Sequence, residues 1–261
     1  MGALAFEERG IGARETLNTK TLRLIGGIGP ASTIDYYRLL IEQYREQKQD
    51  GSNPSILINS IDLTRMLELV AGNRLQELTA YLLGEIERLG RAGADVALVT
   101  SNTPHIVFDE LSRGASIPLL SIVEAAGDAA QDLGLATVGL LGTGFTMRGR
   151  FYDEVFAKRG IKVVAPRADD QAYVHEKYMQ ELIPGNFRSE TRERLLSIIG
   201  RLQHDGAEGV LLAGTELTLL LRGVSGPGVP LLDTTLIHVS RAVKEMLGSA
   251  LPPVQRRERE G

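Results

Sequence analysis

The chain contains no cysteine in 261 residues. That absence excludes disulfides, thiolate catalysis and cysteine-ligated metals. Histidine is scarce too: His105, His175, His204 and His238 are the only four, and they lack HExxH or any comparable ligand spacing, so no metal site is expected. Positive charge is not in excess. The net charge is -4 and no basic stripe runs along the chain, so no nucleic-acid partner is expected. No segment approaches the roughly eighteen apolar residues of a membrane span. Glu7 and Glu8 fall where an export signal would need its apolar core. A cytoplasmic protein without a membrane partner is the expectation.

What is present is an ordinary globular composition, 43% hydrophobic and 24% charged, ample for one large core or two smaller ones. Short apolar runs alternate with longer amphipathic ones. Strands are predicted at 22–27, 55–60, 96–100, 118–120, 137–141, 162–165, 209–212 and 230–232. Helices are predicted at 31–49, 73–92, 104–111, 122–133, 146–159, 171–183, 189–205 and 235–247. Such alternation argues βαβ units, and continuously apolar strands argue parallel sheets covered on both faces.

The chain repeats itself. "RLGRAGADVALVTSNT" from Arg88 matches "RLQHDGAEGVLLAGTE" from Arg201 at an offset of 113 residues. The match aligns Gly93 with Gly206, Asp95 with Glu208 and Ser101 with Gly214, and "IPLLS" later meets "VPLLD". The expected fold is α/β: two pseudo-symmetric lobes with mainly parallel sheets and a cleft between them. The expected division is an N-terminal extension 1–20, a first lobe 21–125 with 235–250, a second lobe 126–234, and a tail 251–261.

Ligands of open parallel sheets sit beyond the carboxyl ends of the strands, where both polar triplets fall: Ser101-Asn102-Thr103 and Gly214-Thr215-Glu216. "GGIGPAS" from Gly26 is a strand-to-helix turn of the kind that offers amides to an anion. It matches neither a dinucleotide fingerprint nor a P-loop, and a plain tight turn is the competing reading. "GTGFTMRG" from Gly142 invites the same pair of readings, with Thr143 and Thr146 as donors or helix caps. Asn102, Thr103 and Thr215 are either carboxylate donors or caps. Glu216 is a base or a partner of a backbone amide. His238 is placed facing the cleft by the strand end before it, whereas His105 reads more simply as a packing residue.

Together "IGGIGPASTIDYYRLL", "INSIDL", "SNTPH", "GLLGTGFTMRGRFYDEVFAKRGIKVVAP", "QELIPGNF", "AEGVLLAGTELTLLL" and "VPLLDTTLIHVSRAV" resemble the aspartate/glutamate racemase superfamily. The likeness is greatest to its aspartate racemase and broad-specificity amino-acid racemase branch, over roughly 22–247. The resemblance implies a pyridoxal-phosphate-independent isomerase without cofactors, a homodimer, acting on a small amino or carboxylic acid. It implies a cysteine pair that removes and returns the α-proton from opposite faces, at the positions of Ser101 and Gly214. It also implies carboxylate contacts from Asn102, Thr103 and Thr215, and a pocket lined by Gly27, Ile28, Thr143 and Thr146. With serine and glycine in the thiol positions, the expected chemistry is non-thiol acid–base work by Ser101, Glu216 and His238 around Gly214. A lyase or decarboxylase, a cyclising enzyme, a non-catalytic carboxylate-binding homologue, or a chain whose cysteines were removed deliberately are the other readings.

Overall fold

The computed structural model describes residues 19–224 and 228–248, so most of the expected extension and the whole tail lie outside the described residues. The first half runs β1 (Leu22–Gly26), α1 (Pro30–Lys48), β2 (Ile56–Ser60), α2 (Leu63–Ala71), α3 (Leu75–Arg91) and β3 (Val96–Val99). A 3₁₀ turn (Thr103–Val107) then leads into α4 (Phe108–Gly114), β4 (Leu119–Leu120) and α5 (Ile122–Asp132). The second half runs β5 (Thr137–Gly142), α6 (Gly144–Arg148), α7 (Phe151–Ala157), β6 (Lys162–Val164) and α8 (Ala168–Lys177). A π turn (Tyr178–Leu182) and α9 (Ser189–His204) follow, then β7 (Gly209–Ala213), α10 (Thr215–Leu221), β8 (Leu231–Asp233) and α11 (Thr234–Leu247).

Two all-parallel sheets result, ordered β2-β1-β3-β4 and β6-β5-β7-β8. The order is the same in both, as the repeat requires. The repeat's matched acids do matched work. Asp95 accepts the Thr21 amide at 2.6 Å, and Glu208 accepts the amides of Ala136 and Thr137 at 2.6 and 3.1 Å. Each acid thus ties the start of its own strand to the start of the neighbouring one, β3 to β1 and β7 to β5.

The helix after the last strand of each sheet, β4 or β8, crosses to the other sheet. From Ile122 onward α5 packs into the core of β5, β7 and α7, through Ile122, Val123, Ala126 and Ala130. From Val239 onward α11 packs into the core of β1, β3 and α1, through Val239, Ala242, Val243 and Met246.

Five elements differ from the sequence expectation, the first being the helix expected at 104–111, which opens as a 3₁₀ turn and becomes α-helical only from Phe108 to Gly114. α2 and α10 were not anticipated; each is short, at 9 and 7 residues. The Asp62 side chain caps α2 by accepting the Thr64 and Arg65 amides. The single helix expected at 146–159 breaks at Gly149, whose backbone turns extended and closes α6 with a bond to the Phe145 carbonyl. The helix expected at 171–183 ends in the π turn, closed by a bond from the Ile183 amide to the Tyr178 carbonyl.

Candidate active site

The carboxyl ends of β1, β3, β5 and β7 meet around one cavity. Ser101, Asn102 and Thr103 line it from one side and Ala213, Gly214 and Glu216 from the other. Ile28, Gly29, Thr143 and Tyr178 also line it, and Leu63, Met66, Leu67 and Ile183 close it with an apolar wall. Its volume is about 20 Å³, enough for roughly one water. A wider depression of about 400 Å³ beside Asp62, Arg65, Glu68, Arg74 and Glu77 lies on the surface. Those side chains carry charges of both signs and come from the end of one edge strand and from two helices, whereas the small cavity gathers the ends of four strands of both sheets, so it is the site that fits the fold.

On the β7 wall Gly214 adopts an extended backbone, φ -165°, which any residue could adopt. Space, not conformation, demands the glycine. A Cβ there would fall 2.5 Å from Tyr178 Cε2 and 2.9 Å from its Oη. The Tyr178 hydroxyl donates to Glu216 Oε2, and burial, reinforced by Glu216, pushes the phenol well above its ordinary pKa. Glu216 is 3% exposed and is solvated by hydroxyls alone: Ser32 donates to Oε1 at 2.7 Å, while Thr215 donates to Oε2 at 3.0 Å alongside Tyr178.

Ser32 lies in the first turn of α1, whose N-cap, Gly29, has φ 102° and no side-chain cap. A Cβ on Gly29 would collide with Glu216 Oε1. Glu216 Oε1 therefore lies at the N-terminus of a 19-residue helix, whose dipole favours negative charge, while its hydrogen bonds come from hydroxyls.

Thr103, which follows β3, and Thr143 and Thr146, which follow β5, form a hydroxyl triad between the two sheets, with Oγ1 atoms 3.1 to 3.5 Å apart. Thr143 caps α6 by accepting the Thr146 amide. Asn102 is buried and committed: its Oδ1 accepts the Tyr152 hydroxyl at 2.6 Å and its Nδ2 points to Thr234 Oγ1 at 3.4 Å.

The histidines do not serve the cavity. His238, expected at the cleft, is fully buried, with Nδ1 receiving the Tyr36 hydroxyl and Nε2 donating to the Leu120 carbonyl. Desolvation, helped by neighbouring His105, lowers its pKa to about 3. His105 gives its Nδ1 proton to the Ser101 carbonyl, not to the Ser101 hydroxyl, and its Nε2 accepts the Ile122 amide. Burial lowers its pKa to about 4.

Two more expectations move. Gly27 lies behind the wall instead of in it: its amide donates to Thr33 Oγ1, and a Cβ there would strike the Ile61 carbonyl at 2.5 Å. Thr215 gives its hydroxyl proton to Glu216 and is not among the residues that line the cavity. Sequence reasoning missed Tyr178, Ile183, Ser32 and the α2 residues. Ser32, Ile183 and Leu63 lie inside "GGIGPAS", "QELIPGNF" and "INSIDL" but were given no role there, and Tyr178 meets Gly214 only through tertiary packing.

The model of the Asp/Glu/Hydantoin racemase family matches residues 25–242. The chain is 22% identical over 229 residues to the broad specificity amino-acid racemase RacX of Bacillus subtilis (strain 168), covering 86% of this chain and 97% of that one. A solved Yersinia pestis structure assigned to the Asp/Glu racemases is 33% identical, with a TM-score of 0.79 over 88% of this chain and all of its own. That of an aspartate racemase homologue from Pyrococcus horikoshii OT3 is 31% identical, with a TM-score of 0.73 over 87% of this chain and 99% of its own. The two parallel sheets, the cavity at their facing strand ends and these matches together make the chain a member of the Asp/Glu/Hydantoin racemase family.

Proposed function

We propose that the cleft binds a small amino or carboxylic acid, with its α-carboxylate on the Thr103 and Thr143 hydroxyls, and that it does so without two-sided proton exchange. The Thr103 and Thr143 hydroxyls at the cavity edge, backed by the buried Thr146, which against expectation does not itself line it, support the reading. They concentrate neutral donors, and an ionised acceptor strengthens such bonds. Racemisation needs a base and an acid on opposite faces of one carbon. In this reading Ser101 and Gly214 stand where the family resemblance puts thiols. A serine hydroxyl needs a neighbouring base to act, and His105 is turned away from it. On the other wall the polar group at hand is Tyr178, a phenol that its surroundings keep protonated.

A second reading, one-sided chemistry such as a lyase, decarboxylase or cyclisation step, is favoured by the Tyr178–Glu216 pair, which sets a hydroxyl proton and a carboxylate oxygen in one hydrogen bond beside the cavity.

Proton NMR in deuterated water, with aspartate, glutamate and neutral amino acids of both hands, separates the two readings. The first predicts no loss of the α-proton signal and no new product, with binding still measurable by calorimetry. The second predicts a product or exchange that Tyr178→Phe abolishes. Thr103→Ala should weaken carboxylate binding about tenfold, the scale of one charge-assisted hydrogen bond. Unchanged affinity in Thr103→Ala and Thr143→Ala together would remove the carboxylate assignment.

A further inference from the structure

The cavity lining is chemically lopsided. Among the described residues that line it there is one carboxylate, Glu216, and no lysine, arginine or histidine. An amino dicarboxylate entering it would bring, beyond its ammonium and α-carboxylate, a second negative charge that no cationic side chain of the lining would meet. A lone ammonium beside a carboxylate is the opposite case: it supplies the positive charge that the partners of Glu216, the hydroxyls of Ser32, Thr215 and Tyr178, do not. The wall opposite the polar groups is apolar, built from Ile28, Leu63, Met66, Leu67 and Ile183.

Tyr178 is the obstacle. With its ring against Gly214 the cavity holds about 20 Å³, far less than an amino acid needs. The ring enters from the π turn, and π turns recur at functional sites. This one presents Tyr178 and Ile183 to the cavity together.

We propose that Tyr178 is the specificity-determining residue of the cleft: it fills the space left by Gly214 and occupies Glu216 Oε2 until the ammonium of a small, uncharged amino acid takes its place. The inference rests on the carboxylate-binding reading above and narrows it. The ligand's carboxylate goes to Thr103 and Thr143, its ammonium to Glu216, and its side chain to the apolar wall. Binding exchanges a neutral hydroxyl on Glu216 for a cation, so a ligand lacking the ammonium cannot displace the phenol.

Calorimetry on the full chain tests this with four probes: alanine of each hand, aspartate, propionate (alanine without its nitrogen) and leucine. The expected order in the unmodified protein is alanine at least tenfold tighter than both propionate and aspartate. Tyr178→Phe removes the competing hydroxyl and keeps the ring; it should bind alanine several-fold tighter. Tyr178→Ala removes the ring and should bind leucine at least tenfold tighter than the unmodified protein does. Glu216→Gln should erase the preference for alanine over propionate. Equal binding of propionate and alanine, tighter binding of aspartate, or weaker alanine binding by the folded Tyr178→Phe variant would each overturn the proposal while leaving a carboxylate site in place. A cleft that takes none of the probes in any variant overturns it together with the reading on which it rests.

Discussion

Gly214 and Tyr178 have to be read as one feature. A glycine at a strand end reads in sequence as an empty wall, yet the phenol of Tyr178 fills it, with Cε2 lying 2.5 Å from where a Cβ would stand. Restoring a thiol pair therefore takes more than two substitutions. Gly214→Cys alone should overpack the site and cost about 1–3 kcal/mol, because the ring it meets is buried and tied to Glu216. The double variant Ser101→Cys, Gly214→Cys should show little α-proton exchange in deuterated water. Adding Tyr178→Ala should raise exchange at least tenfold, and equal rates in the double and triple variants would show that the ring is not in the way. The chain's lack of cysteine makes the experiment clean, since every thiol titrated is an introduced one. No sequence pattern exposes this pairing, because Tyr178 stands 38 residues from Glu216 and arrives from a different helix. Ser101, Asn102, Thr103, Gly214 and Glu216 were visible as strand-end residues. The hydrogen bonds of Asn102 and Glu216 were not, because Tyr152, Ser32 and Tyr178 come from other elements; Thr215 bonds the adjacent carboxylate, whose position those distant hydroxyls share in fixing.

At the scale of elements, the strands were the most legible part, because they are short apolar runs with abrupt polar ends, buried throughout in β1, β3 and β7, whereas the edge strand β2 is partly exposed against the expectation of full cover. All eight fall within a residue or two of their predicted bounds. The helices were less so. α10 continues an apolar stretch directly from β7, and its burial all round erases the amphipathic period. α2 is brief and depends on the Asp62 cap, worth about 1 kcal/mol. Since α2 carries Leu63, Met66 and Leu67 to the cavity, Asp62→Ala should loosen the apolar wall, and hydrogen exchange should quicken in α2 before it does in β1. The acids of the repeat allow a sharper test. Asp95 and Glu208 clamp the starts of β1 and β5 through backbone amides alone. Each change to Ala should cost about 1–2 kcal/mol in urea unfolding, and Asn or Gln should recover part of it. Costs of a few tenths would leave the repeat without this energetic reason.

The whole molecule is held together by its crossed helices, and two histidines sit where they cross. His105 receives the amide of Ile122, the first residue of α5. His238, on α11, bonds Tyr36 of α1 and the carbonyl of Leu120 in β4. The two rings meet edge to face, 6.4 Å between centroids. Both must be neutral for this arrangement, because in each ring one nitrogen donates and the other accepts. Burial accordingly lowers His105 to about 4 and His238 to about 3 from an ordinary 6.5. The sign follows from linkage: as pH falls below 6.5 the unfolded chain takes up protons that the folded one refuses, so stability is complete above that value and is lost toward the folded pKa values. One unit of mismatch is about 1.4 kcal/mol per group, so between pH 7 and pH 5 the pair should remove roughly 3–4 kcal/mol. His175, lowered in the same direction by partial burial and by Arg148, adds a smaller share. Urea unfolding at pH 7.5, 6.5, 5.5 and 5.0 checks it, a range chosen to stay above the carboxylates. In His105→Gln the loss per pH unit should be roughly halved, even though the variant starts less stable. A flat profile across that range, or an unaltered slope in the variant, would mean that the imidazoles at the crossing are already free to take up a proton in the folded protein.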